Sequence, residues 1–328
     1  MIIALKLPND FRERLKSFHF VYRLQRMLQR QMEDDDSALV NYSLHLLCAK
    51  EDIEVLNFLP FHAYSHPINA DDLESFITLH RRGAEINIPR VDYFLHLDPQ
   101  PREMVLGRTL GARKRLGFVD KWSKYFFTSA IVRNEGKPLS EDINRFGPMV
   151  DPQFEKVKLG KVVPKEFEPS EEHVEFIFVE IPIEDGELDE VWIEFFNYFS
   201  EATFAISFMG AEGPRPYFEK FKKLVNAKNH YSQFLSDSLW DFGKTAASSY
   251  AQILFDPKRA MVAAYLGMAA EYIQGRGDFN LEQTDIDHFN GRLNFHEGDD
   301  MAAVFDSVIE LHEGRNNVID LDKERPEA

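Results

Sequence analysis

The stretch DPKRAMVAAYLG, residues 256–267, places cationic side chains at the start of a predicted helix, directly after the strand-like segment AQILF (251–255). In nucleotide-binding α/β proteins, the backbone N–H groups at such a turn bind phosphate, and a glycine lets the ligand approach them. Here Pro257, Lys258 and Arg259 occupy the turn. Two interpretations are open: an anion site built from side chains, or the remnant of a phosphate site built from amides.

The turn must be positioned by strands and helices, and short apolar runs alternate with helical patterns along the chain. The alternation is typical of βαβ units with parallel sheets. A charged, proline-containing segment without periodicity, VVPKEFEPSEE (162–172), predicts a linker between two domains. We therefore expect an α/β fold of two doubly wound halves, with domains at 1–165 and 166–328. The clearest predicted strands are 2–7, 43–49, 93–97, 174–181, 203–210 and 251–255, and the last predicted helix is 299–314.

The composition of the 328-residue chain argues against several classes of function. A formal net charge of −17 disfavours nucleic-acid binding, which requires a basic surface. The single Cys48 fits a reducing compartment and cannot supply a cysteine-based zinc site. His62 and His66 lie four residues apart in a loop-like stretch, and we expect no metal site there. Because we find neither a leader nor an 18-residue apolar run, we expect a cytoplasmic protein.

Residues 11–31 are basic, whereas the chain as a whole is acidic. They carry six basic residues against only Glu13, interleaved with apolar residues at helical spacing. Such a basic amphipathic helix can lie against anionic lipid at the inner face of the cell membrane, or hold an anionic acceptor. It can equally pack its apolar face into a core and expose its basic face to water. Peripheral membrane contact through 11–31 is therefore one of two interpretations.

The segment DPKRAMVAAYLGMAAEYIQGRG, residues 256–277, resembles the hallmark run of glycosyltransferase family 9. The best-known members of that family are the ADP-heptose:lipopolysaccharide heptosyltransferases. Their run is close to D-T-G-P-M-H-L-A-A-A-L-G-K-P, followed by a strand and G-P-T. The two runs align without a gap and agree at Asp256, Ala263, Ala264, Leu266, Gly267 and Gly275.

Other stretches resemble the family in the same serial order, so the resemblance covers nearly the whole chain. Residues 91–118 resemble the family's strand, helix and G-A-K-R-R-I-G-F run. Residues 190–199 resemble K-R-W-P and the helix after it, and 208–221 resemble a strand with a Gly-Gly-x-x-E turn. The resemblance implies two Rossmann-like domains in the GT-B arrangement, an acceptor-side domain followed by a nucleotide-sugar-side domain.

The resemblance also implies roles for individual residues. The family's base is a carboxylate after the first strand, which implies Asp10 as the base of an inverting transfer. Asp10 can equally cap the helix that begins near Phe11. Asp256 can likewise cap a helix instead of contacting a ligand, and Trp192 can pack in the core instead of contacting the nucleotide. The implied acceptor is a glycolipid, and the implied donor is a nucleotide-sugar such as ADP-heptose, bound without a metal ion. The candidate contacts to this donor are Trp192, Asp256, Lys258, Arg259 and Arg276. The last three are not family residues, and they would supply positive charge to the diphosphate from their side chains.

Departures from the family pattern concentrate in the expected donor site. Glu190 stands where the family has a phosphate-binding lysine, Pro257 and Lys258 replace Thr-Gly, and Met261 replaces histidine. Proline lacks an N–H donor, and a carboxylate repels phosphate. The favoured hypothesis is a heptosyltransferase-like protein with a degenerate donor site, serving as a binding or scaffold module for a glycan or protein partner. The alternative is an active inverting glycosyltransferase.

Overall fold

The computed structural model divides the chain into two compact units. Unit 1 comprises Met1–Pro164, and unit 2 comprises Lys165–Ala328. Of the predicted linker 162–172, only 164–167 lies within the described residues, and Arg276 and the chain after residue 311 lie outside them. The described residues are 1–34, 42–158, 164–167, 176–183, 189–199, 202–210, 214–225, 228–275, 279–289, 292–297 and 301–311.

Unit 1 is built on a parallel sheet. Its strands are β1 (Ile2–Lys6), β2 (Ser43–Ala49), β3 (Tyr64–Ile68), β4 (Tyr93–His96), β5 (Lys114–Phe118) and β6 (Ser129–Ile131). They follow the order β3-β2-β1-β4-β5-β6. In the central strand, Leu5 pairs with Leu46 on one side and with Leu95 on the other. All three side chains are buried, as expected for a parallel sheet covered by helices on both faces.

Helices connect these strands. In the described part of unit 1 they are α1 (Phe11–Asp34), α2 (Phe76–Glu85), α3 (Val105–Thr109), α4 (Ser123–Phe126), α5 (Leu139–Asn144) and α6 (Gly147–Val150). Short 3-10 segments lie at Lys50–Phe58, Ala70–Glu74, Pro101–Met104 and Pro152–Lys156. Helix α2 begins after its N-cap Ser75, whose Oγ accepts a hydrogen bond from the N–H of Thr78 at 3.2 Å.

Helix α1 packs its apolar face into unit 1. Leu15, Phe18 and Leu24 are fully buried. Arg14, which belongs to the basic series, is also fully buried and lies 2.7 Å from the carboxylate of Asp52. The interpretation of 11–31 as a helix that lays its apolar face on lipid is therefore corrected, because that face belongs to the core.

Unit 2 is built on a second parallel sheet. Its strands are β7 (Phe176–Pro182), β8 (Thr203–Met209), β9 (His230–Gln233), β10 (Ser249–Leu254), β11 (Ala269–Ile273) and β12 (Arg292–His296). They follow the order β12-β11-β10-β7-β8-β9. Counted from the first strand of each unit, both sheets have the order 3-2-1-4-5-6, which is that of doubly wound Rossmann folds.

The helices of unit 2 surround an aromatic core. In its described part they are α7 (Glu190–Tyr198), α8 (Arg215–Leu224), α9 (Leu239–Ala246), α10 (Pro257–Leu266), α11 (Gln283–Ile286) and α12 (301–311), with a 3-10 turn at Lys165–Phe167. Helix α12 lies within the predicted helix 299–314, and its Val304 and Val308 are fully buried in this core. Gly267 ends α10 with a φ of 78°, a left-handed conformation that glycine adopts without strain.

The predicted α/β class with two Rossmann-like sheets is confirmed. All six strands predicted from the sequence are present, with bounds that differ by at most two residues. Because the helix connections reverse direction there, each sheet has a topological switch point, between β1 and β4 in unit 1 and between β7 and β10 in unit 2. Ligands of doubly wound proteins bind beside the carboxyl ends of the strands at such points, so that each unit offers one candidate place for a site.

Candidate functional site

Asp10 lies after β1, at the switch point of unit 1, and begins α1. Its Oδ1 accepts hydrogen bonds from the backbone N–H groups of Arg12 at 2.9 Å and Glu13 at 3.1 Å. The Arg12 guanidinium also donates to both carboxylate oxygens. Burial raises the pKa of Asp10, but the hydrogen bonds and the charge of Arg12 outweigh it and hold that pKa below its usual value. The carboxylate is therefore ionised at neutral pH, as a cap and a base both require.

A buried ion pair holds the loop that carries Asp10. Lys6 Nζ lies 2.9 Å from Glu103 Oε2, and both side chains are buried. Asn9 bridges the pair: its Oδ1 accepts from Lys6 at 2.9 Å, and its Nδ2 donates to Glu103 Oε1 at 2.5 Å. The backbone N–H of Asn9 donates to the carboxylate of Asp98, which follows β4, at 2.6 Å. These bonds connect the two loops of the switch point beside Asp10.

Charge compensation makes this buried network stable at neutral pH. Burial raises the pKa of Glu103, but the charge of Lys6 and the hydrogen bonds from His96 and Asn9 lower it to about 2. Arg14 also stabilises this loop, because its guanidinium donates hydrogen bonds to the carbonyl oxygens of Pro8 at 2.9 Å and Asn9 at 2.5 Å. The position of Asp10 is thus set by buried, satisfied groups.

A cavity of about 780 Å³ opens beside Asp10 at the carboxyl ends of β1 and β4. It is lined by side chains of both charges, which suit hydroxyl, amide and phosphate groups of a polar ligand. The charged residues that line it are Asp10, Arg12, Glu13, Asp98, Arg102, Glu103 and Arg133.

The start of α10 in unit 2 is satisfied by its own residues. Asp256 is the N-cap, and its Oδ1 accepts the N–H of Lys258 at 2.8 Å. Pro257 has no N–H to offer. The predicted capping role of Asp256 is thus present, and two of the first positions of α10 offer no amide to a phosphate group. Lys258 is half-buried.

Arg259 points into unit 2 and is buried. Its Nη1 lies 2.7 Å from Glu180 Oε1 and 3.0 Å from Ser207 Oγ, and its Nη2 donates to the carbonyl oxygen of Ser236 at 3.0 Å. Glu180, fully buried in β7, also accepts the N–H of Phe255 at 2.6 Å. Burial raises the pKa of the Glu180 carboxyl, and the facing guanidinium opposes that rise. Most of the hydrogen-bonding capacity of Arg259 is therefore used inside the protein.

A second cavity, of about 410 Å³, opens beside this ion pair at the carboxyl ends of β8, β9 and β10. Arg259 and Asp256 contribute to its wall, together with Ser207, Asp237 and Gly210. The wall therefore presents two carboxylates and one cation that is already paired with Glu180. Such a wall suits a neutral or cationic polar ligand better than a diphosphate.

The remaining predicted donor contacts lie elsewhere. Trp192 is 2% exposed and packs against Phe196, Phe255 and Phe305, so that its ring offers no surface on which a nucleotide base could stack. Its predicted nucleotide contact is therefore not supported, and the alternative place in the core is the one observed. Arg276 lies outside the described residues.

The structure also shows the surroundings of two positions at which the sequence departs from the family. Glu190 is exposed in the first turn of α7, and Met261 is fully buried in α10. A carboxylate at the surface repels an approaching phosphate group, and a buried methionine offers it no hydrogen bond. Neither position replaces the contact that the family residue would make.

Sequence reasoning missed the buried charges on which both switch points depend. Glu180 lies within FIFVEIP and Lys6 within IIALK, each a single charged residue in an otherwise apolar strand. A charged residue that a buried strand cannot expose needs a partner, and this signal was present in the sequence. The partners Arg259 and Glu103 are distant along the chain, and no sequence pattern identified them.

Within the described ranges, no three His, Cys, Asp or Glu side chains are grouped so that they could hold a metal ion. No described helix is long and apolar enough to cross a bilayer.

Comparison with known proteins connects this geometry to solved structures. No family model matches the chain, and no curated protein matches it significantly. A structure of E. coli heptosyltransferase WaaC with ADP-2-deoxy-2-fluoro heptose is similar with a TM-score of 0.65 and 10% identity, over 96% of this chain and 100% of that one. A family 9 glycosyl transferase from Veillonella parvula is similar with a TM-score of 0.57 and 13% identity, over 90% of this chain and 86% of that one.

The chain has the fold of glycosyltransferase family 9. E. coli ADP-heptose lps heptosyltransferase II is a further similar structure, with a TM-score of 0.54 and 13% identity, over 96% of this chain and 100% of that one. The resemblance to family 9 and the GT-B class predicted from the sequence are thereby confirmed for the fold. The chemistry of the sites is a separate question, because identities this low are evidence of fold alone.

Proposed function

We propose that this chain is a heptosyltransferase-like protein with a degenerate nucleotide-sugar site that serves as a binding or scaffold module. The observation that carries the proposal is the ion pair between Arg259 and Glu180. It uses, inside the protein, one of the cations that could replace the family's phosphate contacts at this turn. Pro257 and the cap by Asp256 add to this by removing amides from the same turn.

The electrostatics of this turn also disfavour a nucleotide diphosphate. Asp256 and Glu180 lie at the turn with one buried cation between them, and Lys258 is the remaining cation on its first turn. A diphosphate would have to displace the internal partners of Arg259, which would leave Glu180 buried and uncompensated. Binding at this place would therefore be weak.

The proposed ligand site is the cavity of unit 1, and the proposed partner is a glycan or a protein. Arg12, Arg102 and Arg133 can donate hydrogen bonds to hydroxyl or phosphate oxygens there, and Asp98 can accept them. A lipopolysaccharide-type glycolipid, of the kind that the name of E. coli heptosyltransferase II implies for that enzyme, is the proposed glycan. We place the protein in the cytoplasm, since its Cys48 is buried and unpaired, as in a reducing compartment.

Calorimetry with nucleotides tests the degenerate site. ADP, UDP, GDP and ADP-heptose should give no binding heat up to about millimolar concentration and no rise in melting temperature, since only a ligand that binds the native state stabilises it. E. coli heptosyltransferase II, titrated in parallel, is the positive control. Micromolar binding of any of these ligands to this chain contradicts the proposal.

The alternative function is an active inverting glycosyltransferase, and the placement of Asp10 favours it. The Asp10 carboxylate is ionised beside a polar cavity at a switch point, where a base for an acceptor hydroxyl belongs. In this case Asp10→Asn lowers transfer by roughly 10² to 10⁴-fold, whereas Glu13→Gln in the same cavity retains it. Absence of transfer by the unchanged protein with ADP-heptose and a lipopolysaccharide acceptor rejects the alternative.

A further inference from the structure

Exposed hydrophobic side chains cluster on one part of unit 1. Of the eleven large hydrophobic side chains that are exposed among the described residues, six lie in the segments that follow β3, β5 and β6. They are Phe76 and Ile77 at the start of α2, Val119, Trp122 and Tyr125 after β5, and Val132 after β6. Single exposed hydrophobic residues are common, but a contiguous group of this kind marks an interaction surface.

Direct contacts join neighbouring members of this group. The rings of Trp122 and Tyr125 have centroids 6.1 Å apart. Phe76 stacks on Phe126, the neighbour of Tyr125, at 6.2 Å, which joins α2 to α4. The N–H of Val119 donates to the carbonyl oxygen of Ile131 at 2.8 Å, so that Val119 lies beside Val132.

Two lysines lie on the aromatic rings of this surface. Lys121 Nζ is 5.7 Å from the centroid of Trp122, and Lys124 Nζ is 4.9 Å from that of Tyr125. Asp120, the acidic residue directly before Lys121, accepts the N–H of Trp122 at 3.0 Å and stabilises the local turn. The surface is therefore apolar and cationic, in a chain whose formal net charge is −17. We name it the aromatic–lysine patch: Phe76, Ile77, Val119, Lys121, Trp122, Lys124, Tyr125 and Val132.

We propose that the aromatic–lysine patch docks unit 1 onto the surface of an anionic lipid bilayer. Tryptophan and tyrosine have apolar rings with a polar tip and are suited to the layer between headgroups and acyl chains. Lysine extends its charged end to lipid phosphates while its stem covers apolar surface. Charge complementarity favours an anionic bilayer as the partner. The chain as a whole is acidic and would be repelled from such a surface, whereas the lysines of the patch are attracted to it.

The location of the patch relates it to the cavity of unit 1. The 3-10 segment Pro101–Met104 packs against both α2 and α4, and its Pro101, Arg102 and Glu103 line that cavity. A bilayer on the patch would therefore lie next to the segment that forms one cavity wall. The inference does not depend on whether the nucleotide-sugar site of unit 2 is degenerate, since every residue it uses lies in unit 1.

Vesicle sedimentation tests the docking surface. The full chain should sediment with vesicles of phosphatidylcholine mixed with phosphatidylglycerol, remain in solution with phosphatidylcholine alone, and dissociate as salt is raised. Lys121→Glu/Lys124→Glu should weaken binding by about 30-fold or more, since each lysine near such a surface contributes about one factor of five. Trp122→Ala/Tyr125→Ala should weaken it by at least about tenfold through lost apolar area.

A matched control lies in unit 2. Lys222 is exposed on α8 and lies 5.6 Å from the ring of Phe218, next to exposed Lys223 and Leu224. Lys222→Glu/Lys223→Glu makes the same charge change in unit 2 and should leave binding unchanged. Equal loss in this control, or sedimentation that does not depend on phosphatidylglycerol, overturns the proposal.

Fluorescence identifies the residue in contact with lipid. Trp122 is the one tryptophan of unit 1, because the other two are Trp192 and Trp240 in unit 2. Brominated anionic lipid should quench part of the emission of the unchanged protein, and Trp122→Phe should abolish that quenching while the protein still sediments with the vesicles. Quenching that persists in Trp122→Phe overturns the assignment of the patch, and so does a failure of the unchanged protein to bind anionic vesicles.

Discussion

The guanidinium group of Arg259 lies 2.7 Å from the carboxylate of Glu180, and both side chains are buried in unit 2. The two residues are 79 positions apart, on α10 and on β7, the strand that pairs with β10. Glu180 also accepts the N–H groups of Phe255 and Asp256 at the turn before α10. One carboxylate thus holds both the turn and its cation.

Loss of the cation should destabilise unit 2. Arg259→Met leaves Glu180 buried without its partner, and we expect a decrease of about 3 kcal/mol in the free energy of unfolding. The double variant Glu180→Gln/Arg259→Met should recover part of it, since the uncompensated charge is removed as well. Urea denaturation measures the effect, with Lys223→Met on the exposed surface of α8 as the control within about 0.5 kcal/mol. A cost below about 1 kcal/mol for Arg259→Met would mean that Glu180 finds another partner.

The ion pair of Glu103 with Lys6 should make stability depend on pH in the acid range. Glu103 has a pKa of about 2 in the folded protein against an ordinary value of 4.5. Because the folded value is the lower one, this stabilisation is complete above pH 4.5 and is lost as the pH falls toward 2. The difference corresponds to about 3 kcal/mol.

Urea unfolding at several pH values from neutral to acid measures this loss. In Glu103→Gln the decrease between pH 4.5 and 2 should be smaller than in the unchanged protein. Glu141→Gln, which removes the carboxylate of the exposed pair with Lys137, should keep the full decrease. The assignment to Glu103 fails when its variant follows the same pH profile as the unchanged protein.

A histidine pair in unit 1 should make stability depend on pH in a higher range than Glu103 does. His45 Nδ1 lies 3.0 Å from His66 Nε2, and the His45 ring stacks on Tyr64. Burial and the neighbouring His66 lower the pKa of His45 from 6.5 to about 4. The folded protein therefore resists protonation, and stability that is complete above pH 6.5 should decrease as the pH falls toward 4.

Thermal unfolding between pH 7 and pH 5 tests the histidine pair separately from Glu103, because the two pH windows differ. His45→Gln should reduce the dependence of the melting temperature on pH in this range. The exposed His80 provides the comparison, since His80→Gln should leave the dependence intact. Equal profiles for the unchanged protein and His45→Gln would assign the pH dependence to other groups.

Asp10 should stabilise α1 whatever its chemical role. Asp10→Ala removes the acceptor for the N–H groups of Arg12 and Glu13 and should cost about 1 kcal/mol, whereas Asp10→Asn keeps a capping oxygen and should cost less. Chemical denaturation of the two variants measures the difference. Identical stability of Asp10→Ala and the unchanged protein would show that the cap contributes nothing to α1.

Much of the fold was predictable because local patterns carry it. The six predicted strands are apolar runs that become buried strands, and Asp256 and Gly267 delimit α10 as their residue types suggest. The serial order of weak motifs predicted the family 9 fold. By contrast, the pattern of 11–31 was compatible with packing against lipid or against a protein core, because the sequence of an apolar helix face does not specify what it packs against.

The candidate sites were only partly predictable. Asp10 and Asp256 were identified correctly as residues at strand-to-helix turns, because such turns have local signals. Arg259 was predicted to face a ligand, yet it contacts Glu180, because the direction of a long side chain depends on a charge from another strand. Trp192 had two possible places, and the surrounding phenylalanines of unit 2 decided for the core.

Local sequence patterns specify the two α/β halves, the strands at their centres and the helix starts that follow them, since apolar periodicity and capping residues act over a few neighbouring positions. Which charged residues pair with each other depends on the folded arrangement of the strands. Lys6 with Glu103, Arg14 with Asp52 and Arg259 with Glu180 are pairs distant along the chain, brought together by sheet order. The physical reason is that a buried charge must find its partner in space, where the local sequence carries no information about it.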